Sequence, residues 1–293
     1  AQDRLSAGED AETVRQETGW FQGKDGKWRY EISDKDASMK IGRKGTPLKS
    51  FARDLVRELD RPLRLSDVLD HPALFAAYPA LQDYGVTFVP AEVMGPTNGS
   101  FSGELFTLND ALAAREALST LLHEIQHGIQ DIEGFATGGT PERFGSVYVE
   151  ELRQRLKWQA AHLRSAQKNG GIDPVSGRDE NTWLALARET ANELGKHTGK
   201  NDPRYIYGSL AGEVEARNTQ ARQGMTDAQR RATPPNQTAD VADSEVIVVF
   251  NGKEMANAPM PANAAPDAAT AAQPLRTPAA TIRAAITKAY GKL

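Results

Sequence analysis

The fold of this chain is decided by the stretch Leu118-Ser119-Thr120-Leu121-Leu122-His123-Glu124-Ile125-Gln126-His127. Apolar residues recur at spacings of three and four over residues 112–129, which predicts a helix. We expect this helix to begin after a cap at Asn109 or Asp110 and to end near Gly134. Residues four apart lie on the same face of a helix, so the two imidazoles of the stretch can approach one metal ion.

Glu124 lies about 100° around this helix from the first histidine, and it can therefore reach a metal-bound water rather than the metal itself. Zinc lowers the pKa of its water toward ~7 and polarises a carbonyl, while a nearby carboxylate passes the proton to the leaving amine. This geometry is typical of a zincin, with Glu124 as the general base for peptide hydrolysis. The alternative is a set of solvated polar residues on an amphipathic helix. The apolar neighbours Leu122, Ile125 and Ile129 count against it.

Composition restricts the kind of metal site and the kind of partner. The 293 residues include five His and no Cys, so any metal must be held by histidine and carboxylate. A net charge of −4 and a pI near 5.8 disfavour binding to nucleic acid or to a membrane surface. The cluster Arg222, Arg230 and Arg231 keeps DNA binding as a testable third hypothesis. The sequence has no run of ~20 apolar residues, and we expect neither a spanning helix nor a secretory signal.

A catalytic zinc ion usually has three protein ligands, so a third ligand must be found. His71, His162 and His197 are interpreted as surface histidines, the first in a helix cap and the others on charged helical faces. In the metzincin pattern a glycine follows the second histidine by three residues and the third ligand lies a further three residues on. Gln130 and Glu133 occupy these two positions here, which leaves Glu133 as a minor candidate.

The segment Gly212–Asn218 resembles the third-ligand helix of gluzincins, including CAAX-protease-like and ImmA-like peptidases. In these families a glutamate from a separate downstream helix binds the metal. The resemblance implies that Glu213 is the third ligand, with Glu215 as the next candidate. The residue that orients the histidines stays open, because Arg217 occupies the usual position. The alternative is an ordinary helix face on which Glu213 and Arg217 pair at four-residue spacing.

Several further features fit a zincin. An Asp25-Gly26 turn signal followed by alternating aromatic and charged residues predicts a hairpin. Residues 103–108 are predicted to form the sheet-edge strand that binds an extended substrate, with an ordinary core strand as the equal alternative. Tyr205 and Tyr207 precede Glu213 and can donate to the oxyanion of a tetrahedral intermediate, although aromatic residues more often serve packing. Of the two, Tyr207 is the predicted catalytic residue.

Four ordered motifs resemble the zincin-like domain of large polyvalent proteins from phages and conjugative elements. The similarity spans about residues 17–250. The motifs are Thr18–Ile32, Leu65–Pro79, Leu118–Phe135 and Gly212–Asn218. The resemblance implies a metallopeptidase-like module inside a larger mobile-element protein, which matures its own polyprotein or cuts a host factor.

The fold class we expect is α+β and zincin-like. A small twisted sheet packs on the active-site helix, and a helical subdomain carries the third ligand. The predicted organisation is an N-terminal extension over 1–17, the metallopeptidase domain over 18–250, an Ala/Pro-rich linker over 251–280, and a short helix over 281–293 that starts a following domain.

The first functional hypothesis is a zinc-dependent endopeptidase in which His123, His127 and Glu213 bind Zn²⁺. Its substrate is a polypeptide, either the chain's own polyprotein or a host protein. The expected location is the bacterial cytoplasm, after delivery with phage or plasmid DNA. The alternative is a non-catalytic, metal-stabilised module whose groove binds a partner strand without cutting it.

Overall fold

The computed structural model describes residues 1–42, 47–59, 61–139, 145–250 and 253–255. The chain forms two compact units. The first unit comprises Ala1–Thr137 together with the chain from Val214 onward, and the second comprises Gly138–Glu213. The division falls inside a single helix, directly after Glu213.

The described part of the chain is mixed α and β, as the sequence predicts. Its helices are α1 (Gln2–Ser6), α2 (Ala11–Thr18), α3 (Lys49–Leu59), α4 (Leu65–Val68), α5 (Pro72–Ala77), α6 (Ala91–Met94), α7 (Ala114–Glu133), α8 (Ser146–Lys168), α9 (Glu180–Gly195), α10 (Pro203–Ser209), α11 (Ala211–Arg222), α12 (Asp227–Ala232) and α13 (Pro235–Thr238). Its strands are β1 (Trp20–Gln22), β2 (Trp28–Tyr30), β3 (Ser38–Met39), β4 (Leu63–Arg64), β5 (Leu69–Asp70), β6 (Gly85–Val89), β7 (Gly99–Ser102), β8 (Leu105–Asn109), β9 (Val248–Phe250) and β10 (Lys253–Met255).

A four-stranded sheet in the first unit has the order β4-β6-β8-β7. Strands β6 and β8 are parallel, while β4 and β7 pair antiparallel at the two edges. The alternating residues Val86, Phe88, Phe106 and Leu108 are buried in the core cluster. Because side chains alternate along a strand, this pattern gives the sheet one apolar face.

Helix α7 packs against β7 and β8 with the apolar stripe that the sequence predicts. Leu118, Leu121, Leu122 and Ile125 lie in the same buried cluster as the strand residues. The helix ends at Glu133, and Gly134 follows with a φ of 62°, a left-handed conformation that suits glycine.

The predicted start of this helix is wrong. Helix α7 begins at Ala114, and its first turn is capped by Glu116, whose carboxylate accepts from the N–H of Ala113 at 3.2 Å. Asn109 instead ends β8, where it is the register partner of Val89. Its side-chain oxygen accepts from Ala111 N at 3.0 Å, which forms a turn between strand and helix.

The edge strand near α7 also differs from the prediction. The strand within the predicted stretch 103–108 is β8, which lies between β6 and β7. The edge is β7, whose first two residues belong to the turn-rich stretch Pro96–Ser100. Gly103 and Glu104 form the tight turn between β7 and β8, with φ values of 44° and 67°. Two positive φ values in a two-residue turn match the twist of a hairpin.

The N-terminal 42 residues contribute to the first unit. The predicted hairpin is confirmed as β1 and β2, which pair antiparallel with Phe21 opposite Arg29. The stretch 1–17, predicted as an extension, contains α1 and most of α2, and Val14 and Arg15 of α2 are buried. Arg15 donates to the backbone oxygens of Arg230 and Arg231, at 3.1 and 2.5 Å.

The second unit is helical, with α8 and α9 packed against each other. Trp183 is fully buried, and the ring of His162 stacks on it at 4.7 Å. His162 also contacts Asp173, with Nδ1 2.8 Å from a carboxylate oxygen. His162 is therefore a partly buried packing residue rather than the predicted surface histidine.

The chain beyond residue 250 is described only over Lys253–Met255. This strand pairs antiparallel with Val248–Phe250, although the sequence predicts a linker from residue 251. The rest of that linker and the predicted helix of 281–293 lie outside the described residues. Within the described ranges, no helix combines the length and the apolar composition needed to cross a membrane.

Candidate metal centre

His123 and His127 lie one turn apart on α7, and their side chains converge. The Nε2 atoms are 3.2 Å apart, and the ring centroids are 4.9 Å apart. Two nitrogens that each lie about 2.0–2.1 Å from a tetrahedral zinc ion are about 3.3 Å from each other. The spacing of the two histidine nitrogens therefore matches a pair of zinc ligands.

Two glutamine amides fix the protons of these histidines. The Oε1 of Gln220 lies 3.3 Å from Nδ1 of His123, and the Oε1 of Gln130 lies 2.9 Å from Nδ1 of His127. An amide oxygen only accepts, so each Nδ1 carries the proton and each Nε2 presents a lone pair. In a metal-binding histidine, the tautomer is usually selected by the hydrogen bond of the ring nitrogen that does not bind the metal.

The NH₂ group of each glutamine fixes the orientation of its amide. The Nε2 of Gln220 donates to the backbone oxygen and the hydroxyl of Ser119, at 3.0 and 3.3 Å. The Nε2 of Gln130, which is fully buried, donates to a carboxylate oxygen of Glu215 at 3.2 Å. Two lone pairs that face each other at 3.2 Å repel, and a cation between them removes that repulsion.

Glu213 lies at the start of α11, in the same continuous helix as residues 214–222 of the first unit. One oxygen of its carboxylate and one ring nitrogen from each of His123 and His127 lie within 4.8 Å of one another. Glu213 is 2% exposed, and Gly139 N donates to its Oε1 at 3.2 Å. Two imidazole nitrogens and one carboxylate oxygen are a donor set that suits zinc and leaves a fourth position open.

The two other carboxylates considered as third ligands have different surroundings. Glu215 lies on α11 and pairs with Arg29 through its Oε1. Glu133 is exposed at the end of α7 and accepts a hydrogen bond from Tyr78. Burial of the phenol, and then the charge and the hydrogen bond of Glu133, raise the pKa of Tyr78.

Glu124, the predicted general base, is 6% exposed and lies beneath the edge strand β7. A Cβ atom at Gly99 would lie 2.9 Å from Oε1 of Glu124 and 2.5 Å from a methyl carbon of Thr120. Only a residue without a side chain lets the strand pass this close to the helix. The structure therefore brings the backbone of β7 directly beside Glu124.

The remaining predicted residues belong to other segments of the chain. Tyr205 and Tyr207 lie on α10 in the second unit, and the catalytic role of Tyr207 stays a prediction.

His71 is 2% exposed rather than at the surface. It caps α5 by accepting from Leu74 N at 3.3 Å, and its other nitrogen lies 2.9 Å from Asp34. His197 lies 3.8 Å from Glu193 and is partly exposed.

The arginine cluster considered for DNA binding is largely buried. Arg222 and Arg230 are 2% and 5% exposed, and both pair with Glu31. A guanidinium group held in a buried ion pair presents no free charge to a phosphate backbone. Arg231 is exposed, but its two predicted companions face the interior.

Asp25 lies in the turn between β1 and β2. Its side chain is fully buried and forms a two-point ion pair with Arg29, at 2.6 and 2.9 Å. Burial alone would raise the pKa of Asp25. The hydrogen bonds and charge of Arg29 outweigh this effect, together with the backbone N–H of Ala136, and the net shift is downward.

This shift predicts a loss of stability in acid. Because the folded pKa of Asp25 lies below its unfolded value of about 3.9, the stabilisation is present above about pH 4. It is lost as the pH falls through the lowered folded value. We expect Asp25→Asn to be less stable at neutral pH and to lose less stability on acidification, as measured by urea unfolding from about pH 6 to pH 2. The control is Asp83→Asn, which changes an exposed carboxylate. Equal acid dependence in both variants would contradict this assignment.

The sequence interpretation missed the glutamines that orient the histidines, although both have a positional signal. Gln130 follows His127 by three residues, and Gln220 follows Glu213 by seven, so each lies on the ligand face of its helix. The sequence does not show which helices meet. Asn218, which follows Arg217 on α11, donates to the backbone oxygen of Pro235 at 2.8 Å.

Comparison with known proteins covers the N-terminal part of the chain. Residues 1–40 match a family described as Large polyvalent protein associated domain 23. The match includes the β1–β2 hairpin and links this part of the chain to polyvalent proteins. No curated protein and no solved structure matches the chain.

Proposed function

We propose that this chain is a zinc-dependent peptidase of gluzincin type, with His123, His127 and Glu213 as the metal ligands. The observation that carries the proposal is the convergence of the two Nε2 atoms at 3.2 Å, with both Nδ1 atoms facing amide oxygens. Ordinary packing does not require two aligned lone pairs beside a buried carboxylate, whereas a metal site does.

When bound, zinc supplies Lewis acidity, which polarises a substrate carbonyl and lowers the pKa of a water molecule. Glu124 accepts a proton from the attacking water and returns it to the leaving nitrogen. Its position supports this role, because the carboxylate follows His123 directly on the helix that carries both histidines.

The proposed substrate is an extended polypeptide that pairs with β7. This strand is hydrogen-bonded only to β8 in the described sheet, so its other side is available for a further strand. Main-chain pairing gives affinity with little dependence on sequence. Because Gly99 lies directly beside Glu124, a strand added at this edge runs past the general base.

The proposed setting is a module of a polyvalent protein, supported by the match of residues 1–40. The substrate is then either another segment of the same polyprotein or a protein of the bacterial host. The proposed location is the host cytoplasm, after entry with phage or plasmid DNA.

The second candidate is a metal-stabilised interaction module that binds a partner strand without cutting it. One observation favours it: Glu124 is 6% exposed and has β7 directly above it. A buried carboxylate packed against the strand in this way also fits a structural contact between α7 and β7.

The test combines metal analysis with product analysis. We expect the purified chain to contain about one zinc per molecule and to cleave peptides from a broad library, with activity lost to a chelator and restored by zinc. Absence of stoichiometric zinc would overturn the metal site. Zinc without any cleavage of peptides or of the parent polyprotein would support the second candidate.

Substitution of Gly99 tests the contact between strand and base. We expect Gly99→Ala to lower kcat/KM by roughly 100-fold with zinc content unchanged, because the new methyl group displaces Glu124 or the strand by about 1 Å. The matched control is Ser100→Ala on the exposed side of the same strand. Equal activity of the two variants would show that Glu124 does not act at this edge.

A further inference from the structure

Arg29 on β2 is buried, and its contacts lead toward the metal centre. Its guanidinium group is 4.0 Å above the ring of Phe135 and pairs with both Asp25 and Glu215. A Cβ at Gly23 would lie 2.1 Å from the Arg29 side chain, so the glycine leaves room for it. The hairpin thus places one arginine, with its charge satisfied on two sides, against α11.

The contacts continue from Arg29 to His127. Arg29 contacts both carboxylate oxygens of Glu215. The Nε2 of Gln130 donates to one of them, Oε2, at 3.2 Å. The opposite atom of the same amide, Oε1, lies 2.9 Å from Nδ1 of His127. Each link has one donor and one acceptor, so the direction of the whole series is fixed.

We propose that Arg29 is a positioning residue that acts through Glu215 and Gln130 to keep the proton of His127 on Nδ1. The Nε2 lone pair is then held toward the metal site. This inference rests on the proposed function and gives the N-terminal hairpin a specific part in it.

The physical reason is that a glutamine amide has two nearly equal orientations. With Glu215 ionised and held by Arg29, the NH₂ group of Gln130 must face the carboxylate, and the amide oxygen must face the histidine. Without Arg29, Glu215 turns to solvent and the amide rotates freely. In the rotated state NH₂ donates to Nδ1, the proton of His127 moves to Nε2, and the metal-binding lone pair is lost.

The experiment measures zinc affinity and the histidine tautomer of Arg29→Gln in the full chain. We expect zinc binding to weaken by about 10- to 100-fold in competition with a chromophoric chelator. In the metal-free protein at about pH 8, ¹⁵N spectra should show a protonated Nδ1 at His127 in the wild type and a mixture of tautomers in the variant. Arg29→Lys keeps the charge without the planar fork, and it should restore part of the affinity.

Arg230→Gln is the matched control. It removes another buried arginine, one that pairs with the carboxylates Glu31 and Asp34 instead of Glu215. We expect it to lower the melting temperature without changing zinc affinity or tautomer. If Arg29→Gln fails to fold, Glu215→Met interrupts the same series and leaves the pair of Arg29 with Asp25 in place.

A double-mutant cycle tests the route of the effect. In a Gln130→Met background, Arg29→Gln should cause no further loss of zinc affinity, because the link to His127 is already absent. Additive losses, or an unchanged tautomer in Arg29→Gln, would overturn the positioning role. Failure of the proposed function looks different: the wild type then binds no zinc, while the tautomer measurement still reports on the role of Arg29.

Discussion

Glu124→Gln is expected to abolish peptide hydrolysis while leaving zinc content unchanged. Glutamine has the size of glutamate and fits the space beneath Gly99, but its amide cannot accept a proton from water. Removal of a general base typically lowers turnover by about 10²- to 10⁴-fold. The measurement is kcat/KM on the best peptide found in the library, with zinc determined on the same samples.

The control for this variant is Glu116→Gln, the same substitution at an exposed position of α7. It should retain full activity, because the amide oxygen can still accept from the first turn of the helix. Retained hydrolysis in Glu124→Gln would exclude Glu124 as the base. If the wild type binds zinc and neither it nor the variant cleaves anything, the interaction module becomes the better description.

Glu213→Gln is expected to have the second large effect, a loss of zinc affinity. The carboxylate is buried beside two neutral imidazoles, so its charge is the main compensation for a divalent cation at this point. We expect the loss to exceed the roughly 10- to 100-fold that follows removal of a residue that only orients a ligand. The absorption spectrum of the cobalt-substituted protein should change with it, because an amide oxygen is a weaker ligand.

Glu133→Gln is the control for the third ligand, since Glu133 is the metzincin-like alternative and is exposed. Its zinc affinity should equal that of the wild type. Glu215→Gln should weaken binding without altering the cobalt spectrum, because Glu215 contacts Arg29 and Gln130. The assignment of Glu213 is wrong if Glu213→Gln binds zinc normally and either of the other two variants does not.

Local periodicity predicted the elements well. The helix that carries His123 and His127, the hairpin after Asp25 and the strand within residues 103–108 depend on neighbours a few residues apart, and such patterns can be read directly. The errors have specific local causes. The cap at Asn109 failed because the same residue is required by β8, and the turn-forming residues of 96–100 run into the start of β7.

The surroundings of the histidines were harder to predict, because they depend on long-range contacts. Gln220 is 97 residues from His123, and Arg29 is 186 residues from Glu215.

His71 was misjudged for a related reason. A histidine next to a proline at a helix start resembles a surface cap, and its burial depends on Asp34, which a distant part of the chain supplies.

The identity and the spacing of the chemical groups follow from the order of the residues along the chain. The four-residue interval places His123 and His127 on one face, and the absence of cysteine restricts a metal site to histidine and carboxylate. Only the tertiary structure decided that α11 brings Glu213 to them and that two glutamines set their protons. Helical spacing follows from bonds within one turn, whereas the direction of a lone pair depends on hydrogen bonds from whichever segments the folded core brings together.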